Sequence, residues 1–404
     1  MAVVSAINFE IEKRLKKGLG RAGILGTPHG NIKTPSFVIV GTKATVKTLS
    51  PEEVKKLGGQ IVLGNTYHLY LELGEELIKR EGGLSKFMNW NGPTMTDSGG
   101  FQAFSLGAAY GKGISKILKP TTGRQERDKE EEGKKIPLAK ITDDGVKFKS
   151  PIDGSEHFFS PEKSIDIQHN IGADMMFAFD ECTSPNADYN YQKRAMNRTH
   201  DWAERCVEYH KKNKDSSAKQ GLFGIVQGGR FSDLREGSAR YIAKLPFAGF
   251  GIGGSFEKED IDKVVGLVNK ILPEEKPRHL LGIGEPLDLF LGVENGVDTF
   301  DCVTPTRNAR NGSLYTGKGR MNILNTKFRQ DTTPIEKDCE CYTCSNYTRA
   351  YLAHLFRSKE TFGLRLASIH NLYFIVNLVR KIRESILNDN FSSYKKEFLK
   401  NYGG

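Results

Sequence analysis

The sequence predicts an α/β protein built on a (β/α)8 barrel, followed by a smaller cysteine-bearing segment. Three observations carry that expectation. Short apolar runs recur along the first 330 or so residues, with helical patterns between them. Within each run the apolar residues are contiguous rather than alternating, as in strands buried on both faces. Three of the six cysteines crowd into Cys339-x-Cys341-x2-Cys344. Alternation of strand and helix over about 250 residues favours a barrel, with a doubly wound open sheet as the alternative.

In chain order, Ser50-Pro51-Glu52-Glu53 signals a helix start, with a capping Ser, Pro at the first helical position and Glu three residues after the cap. The strand-like runs are Gln60–Gly64, Pro93–Asp97, Asp174–Asp180, Leu222–Gly228, Gly249–Gly254, His279–Gly284 and Asp298–Val303. Ser160-Pro161-Glu162 opens a second helix, and Tyr191–Lys211 has the apolar spacing of a third. Between them, from Gly107 to about Asp144, a stretch rich in Gly, Lys and Glu reads as an exposed inserted loop. The expected division is a catalytic barrel over 1–330 and a subdomain with C-terminal helices over 331–404.

The chain has 404 residues, 38% of them hydrophobic, which is enough for one large core and an appendage. A formal charge of +10 fits a polyanionic partner such as nucleic acid, although a basic enzyme without such a partner has the same balance. No apolar stretch reads as approaching the ~20 residues of a membrane span. The segment Met1–Gly20 carries no signal-peptide pattern. Cysteines clustered rather than spread point to a reducing compartment and a metal site, so a cytoplasmic protein is expected.

Chemistry in a barrel collects at the C-terminal ends of the strands. Asp97, Asp180, Gln227, Gly254 and Asp301 all fall there. Asp97 and Asp301 stand at the ends of different runs, so the pair can face one substrate as nucleophile and acid/base. Either one alone would equally serve as a helix cap. Small residues after Asp97 let a ligand approach the backbone, and Arg307 and Arg310 after Asp301 suit phosphate contacts. Asp180, closing an apolar run, can accept from the N–H groups of a heterocycle, with Gln227 and the backbone near Gly254 completing a pocket. The cysteine cluster is of a kind that zinc favours and needs a fourth ligand. His354, in the helical pattern Tyr347–Arg357, and His370, after a break at Ser368, are the candidates.

The motifs taken together resemble the bacterial-type tRNA-guanine transglycosylase family. They are Thr-Asp-Ser-Gly-Gly-Phe-Gln at 96–102, Phe-Asp-Glu-Cys-Thr at 179–183, Gly-Ile-Val-Gln-Gly at 224–228 and Phe-Asp-Cys-Val-Thr-Pro-Thr-Arg-Asn-Ala-Arg-Asn-Gly at 300–312. Gly-Thr-Lys-Ala-Thr-Val-Lys at 41–47, Leu-Gly-Asn-Thr-Tyr-His-Leu at 63–69 and the cysteine cluster join them, and the likeness runs from about Phe9 to Tyr402. The resemblance implies an irregular (β/α)8 TIM barrel with a zinc-binding subdomain, acting as a homodimer on tRNA. The implied reaction exchanges the wobble guanine of GUN-anticodon tRNAs (those for Asp, Asn, His and Tyr) for a 7-deazaguanine base in queuosine biosynthesis. Carried over by motif, Asp301 is the nucleophile and Asp97 the general acid/base. Ser98, Asp180, Gln227 and Gly254 read the base, Phe101 stacks on it, and Leu281 and Gly282 form the other wall. Arg307 and Arg310 are the expected tRNA contacts. Cys339, Cys341, Cys344 and His370 are the implied ligands of one structural Zn2+ per subunit.

One motif departs from the family. Where bacterial members usually read Gly-Gly-Leu-Ala-Val-Gly-Glu, this chain has Gly-Gly-Ser-Phe-Glu-Lys-Glu at 253–259. That stretch borders the side of the pocket that receives the base's 7-substituent. The expected incoming base is preQ1, with queuine or another enlarged base as the alternative. Three other readings rank lower. A non-catalytic tRNA-binding subunit would not keep both Asp97 and Asp301. A zinc hydrolase needs an open metal position, and a carbohydrate-active barrel sits poorly with the basic charge and two tryptophans.

Overall fold

A computed structural model of the chain describes residues 6–107, 139–254 and 260–402. Eight parallel strands close a barrel, each pairing with the next in chain order. They are β1 (Ser36–Val40), β2 (Val62–Gly64), β3 (Thr94–Thr96), β4 (Met175–Phe177), β5 (Gly221–Val226), β6 (Gly249–Ile252), β7 (Arg278–Leu280) and β8 (Thr299–Asp301). Closure comes from β8 on β1, with Phe300 opposite Phe37 and Asp301 opposite Val38. The barrel is therefore the observed architecture, and the open sheet is not.

Each of the seven apolar runs supplies one strand, most of them shorter than the run. The eighth, β1, was missed in the sequence. It follows the strand Gly30–Thr34 with only Pro35 between, so the two read as one extended segment until pairing separates them. Gly30–Thr34 belongs instead to a three-stranded antiparallel sheet with Asn8–Arg14 and Arg21–Thr27. That sheet sends Leu25 and Ile32 into the same buried cluster as Val38, Met95, Phe177 and Phe223 of the barrel. Below it, Arg21 and Asp298 form a buried bidentate ion pair at 2.9 and 2.7 Å.

The helix starts follow the local chemistry. Ser50 accepts from the N–H of Glu53 while the Glu53 carboxylate accepts from the N–H of Ser50, closing a capping box. Ser160 caps the helix Pro161–Ile171, and Asp188 caps Tyr189–Lys212. Of the expected inserted loop, residues 108–138 lie outside the described residues, as does the altered stretch 255–259. Its last residues do not form a loop. Ala139–Thr142 is a strand paired with Gly145–Lys149, which pairs in turn with Glu156–Phe159.

After β8 come the helix Thr304–Arg310, a hairpin of Ser313–Thr316 and Gly319–Asn322, and four helices ending with Phe391–Asn401. The helix Thr361–Leu387 corrects two expectations. There is no break at Ser368: the helix runs on, and the Ser368 hydroxyl, which could compete for the backbone, is satisfied within it by the carbonyl of Leu364 at 2.8 Å. The same helix is long and apolar enough to cross a membrane by length and composition, with 61% of its most apolar window buried. Its Ile369, Leu372, Ile375, Val379 and Ile382 join the main core of the barrel. A second apolar cluster takes residues from both sides of position 330, including Ala309, Leu314, Phe328, Leu352 and Leu366.

Candidate active site

The C-terminal strand ends converge on a cavity of about 310 Å3. Asp97 lies just past β3, and its environment separates it from an ordinary cap. It accepts from the N–H of Thr66 at 2.9 Å and from the side-chain amide of Asn65, so it sits at the start of the helix Thr66–Glu72 that follows β2.

Asp301, the last residue of β8, does not cap the helix after it, which has no side-chain cap. Its Oδ1 accepts from the N–H of Gly282 at 2.7 Å and lies 3.1 Å from Nε2 of His279. Gly282 has a φ of 72°, a left-handed conformation that points its N–H at the carboxylate without the penalty a side chain would bring. His279 is fully buried, and its Nδ1 lies 2.9 Å from the hydroxyl of Thr299. A carboxylate only accepts, so Nε2 carries the proton in that contact. The Asp301 side chain keeps 14% of its surface exposed, toward the cavity.

The third carboxylate faces the opposite wall. Asp180 is buried, accepting from the Ser98 hydroxyl at 2.9 Å and from Gln227 Nε2 at 2.6 Å. Its two oxygens are thus oriented by one residue after β3 and one after β5. Phe101, Gly254, Leu281, Gly282 and Arg307 line the same cavity. Of the pocket residues expected from the sequence, Gln227 and Arg310 do not line it; Gln227 is buried and reaches it only through its bond to Asp180. Arg310 is half-buried at the end of the helix Thr304–Arg310, and burial together with neighbouring Arg307 lowers its pKa. A larger groove of about 830 Å3, between the Ser313–Asn322 hairpin and the C-terminal helices, contains none of Asp97, Asp180 or Asp301.

A family model described as queuine tRNA-ribosyltransferase matches residues 16–404. Proteins named queuine tRNA-ribosyltransferase from Thermoanaerobacter pseudethanolicus and Lactococcus lactis are 47% and 48% identical, over 403 and 401 residues. The first alignment covers 99% of each chain, the second 98% of this one and 97% of its relative. The chain belongs to the queuine tRNA-ribosyltransferase family. It is therefore a pentosyltransferase, and its barrel is the fold expected from the motif resemblance.

Away from the cavity, this family member gathers Cys339, Cys341, Cys344 and His370, with all four ligand atoms within 4.8 Å of one another. His370 is fully buried and its Nδ1 lies 3.8, 3.5 and 3.4 Å from the three sulfurs. Zinc bonds of about 2.3 Å to sulfur and 2.0–2.1 Å to nitrogen set a tetrahedral S···N edge of about 3.5 Å. The cluster matches that edge. The other ring nitrogen, Nε2, lies 2.7 Å from the carbonyl of Tyr315, which fixes the proton there and leaves Nδ1 as the donor to a metal. His354 is exposed on the helix Arg349–Arg357 and takes no part.

The sequence reading did not single out His279, Asn65 or His68 in this transferase. His68 lines the cavity half-buried, and burial, with Lys43 and Lys47 nearby, lowers its pKa despite Glu72. His279 opens an apolar run, where nothing local marks it as facing the cavity. Asn65 and His68 fall in the motif at 63–69, which was the available signal.

Proposed function

We propose that this chain exchanges the wobble guanine of GUN-anticodon tRNAs for a 7-deazaguanine base, with preQ1 as the expected incoming base. One observation supports this above the rest. Two carboxylates on different strand ends, Asp97 and Asp301, share a cavity with a third, Asp180, whose two oxygens accept from Ser98 and Gln227. The first two match a double displacement, and the third matches the reading of a purine edge.

In this proposal Asp301 attacks the ribose C1′ as the bond to guanine breaks, and the bonding pair leaves with the base. Asp97 protonates the departing guanine. The incoming base then gives a proton to Asp97, attacks C1′ and expels Asp301. The intermediate is a covalent ester between Asp301 and the ribose, as in retaining glycoside chemistry, with the second base in place of water. Asp180, Ser98, Gln227 and the backbone at Gly254 read the base, Phe101 stacks on it, and Leu281 and Gly282 form the facing wall. The target base leaves its stack to reach the cavity, at a cost of a few kcal/mol. Contacts of Arg307 and Arg310 with phosphates offset part of it.

Cys339, Cys341, Cys344 and His370 would hold one zinc ion, which would brace the C-terminal segment structurally. Four protein ligands leave no position for water, so no hydrolytic step is assigned to it. The working unit is a homodimer, checked by light scattering in solution.

Exchange of labelled guanine into tRNA, by the wild type and by Asp301→Ala, tests the core of the proposal. The variant is expected to lose exchange and the trappable tRNA adduct together, and normal exchange by it would remove Asp301 as nucleophile. The stretch at 255–259 motivates queuine as the alternative incoming base. Displacement of guanine by preQ1 at far lower concentration than by queuine would reject that alternative.

A further inference from the structure

We infer that the helix Ser232–Ile242 is a positioning element for the base-reading wall, acting through Arg235 and Ser238. The inference rests on the base-exchange reading above and extends it to residues that touch no reacting atom.

The two residues are three apart on the helix and so share one face, and both are wholly buried. Arg235 reaches three carbonyls. Its Nε donates to Gly229 at 2.8 Å, and its Nη1 donates to Val226 at 3.1 Å and to Gly253 at 2.7 Å. These carbonyls lie at the ends of two neighbouring strands. The β5–β6 pairing runs as far as Val226 opposite Ile252, with one further bond from the N–H of Gly253 to the carbonyl of Val226. Gln227 and Gly254 come directly after, where the ladder has stopped, and Arg235 holds the backbone on either side of that point.

Ser238 acts on the same stretch. Its hydroxyl accepts from the N–H of Gln227 at 3.2 Å and lies 3.1 Å from Nε2 of His200. Burial lowers the pKa of His200 to about 4, so the ring is neutral at pH 7 and Nε2 can accept the Ser238 proton. That fixes the hydroxyl with its lone pair toward Gln227. Gln227 in turn donates to Asp180, so the chain of contacts ends at the base-reading carboxylate.

The fit at Gly254 shows how closely the wall rests on Arg235. Gly254 has a φ of 86°, and a Cβ built there would lie 2.7 Å from Arg235 Nη2 and 2.8 Å from Gln227 Oε1. A planar guanidinium spans three carbonyls in fixed directions, whereas a lysine ammonium is a point donor on a flexible stem. Holding a cation in so buried a place is unfavourable, and desolvation lowers the Arg235 pKa to about 10.

The test is guanine exchange into tRNA by Arg235→Lys, Arg235→Met and Ser238→Ala, with kcat normalised to the enzyme that forms the covalent adduct. A displaced wall weakens base binding and leaves tRNA binding alone. The KM for guanine is expected to rise about tenfold in Arg235→Lys, the scale of one lost charge-assisted hydrogen bond, and less in Ser238→Ala. The KM for tRNA is expected to stay within about twofold. A merely structural role would reduce the active fraction without separating the two constants. Unchanged guanine KM in folded variants, or both constants moving together, overturns the inference. Should the Arg235 variants fail to fold, Ser238→Ala decides alone, and an unchanged guanine KM there has the same force. A wild type that exchanges no guanine would reject the function itself, which is a different outcome.

Discussion

Three aspartates of one residue type are set apart by what donates to them. Asp97 takes a helix N-terminal N–H and an amide, Asp180 takes a hydroxyl and an amide, and Asp301 takes a backbone N–H and an imidazole. The aspartates were legible because each closes an apolar run. Their partners were not, because a donor distant in sequence is found only by folding. His279 is the clearest case. On a three-residue strand the pleat alone decides whether its ring faces the cavity or the helices. We expect His279→Leu to slow adduct formation by about ten- to hundredfold, the scale of a hydrogen bond to a charged group. Single-turnover trapping of the tRNA adduct measures this, and an unchanged rate would leave His279 as packing only.

Caps were the most legible elements. The Ser50–Glu53 box stood in the sequence and is formed, and Glu53 also meets Arg365 of the long C-terminal helix at 2.7 Å. Ser50→Ala is expected to lower stability by about 1 kcal/mol without changing exchange, as read from urea unfolding and guanine incorporation. The contact between the helices Pro161–Ile171 and Tyr189–Lys212 was not legible. It holds His169 and His210 side by side, with Nε2 and Nδ1 2.9 Å apart. Burial lowers the pKa of His169 to about 3 and of His210 to about 4. The unfolded chain binds protons at these rings below about pH 6.5, and the folded chain does not until about 4 or lower. Stability should therefore fall as pH drops from 6.5 toward 4, by up to about 1.4 kcal/mol per pH unit for each ring. Urea midpoints across that range check the slope, and the double variant His169→Leu, His210→Leu should lose the part this pair carries. A flat midpoint in the wild type would contradict the argument.

At the scale of the whole molecule, barrel and metal segment share one frame. The helix Thr361–Leu387 carries His370 and packs into the barrel core, and its Asn371 donates to the carbonyls of Pro305 and Ser313 at 3.0 Å. Removing a residue of the proposed metal site should therefore be felt beyond the cysteines. His370→Ala is expected to lose bound zinc and to lower the thermal midpoint, while His354→Ala keeps both. Elemental analysis beside calorimetry reads the two effects. Loss of zinc in His354→Ala would overturn the choice of fourth ligand.

By itself the sequence determined the strand–helix alternation of an α/β protein, seven of the strands, the capped helix starts, the three cysteines and the polar strand ends. These are local properties: contiguous apolar runs, caps a few residues long and thiols spaced for one ion. Only the tertiary structure decided which donors hold each aspartate and that Ser36–Val40 completes the ring. The same is true of His370 standing mid-helix and of Arg235 bracing the wall behind Gln227. Each of these depends on closure, which brings β8 against β1 and turns strand ends far apart in the chain toward one cavity.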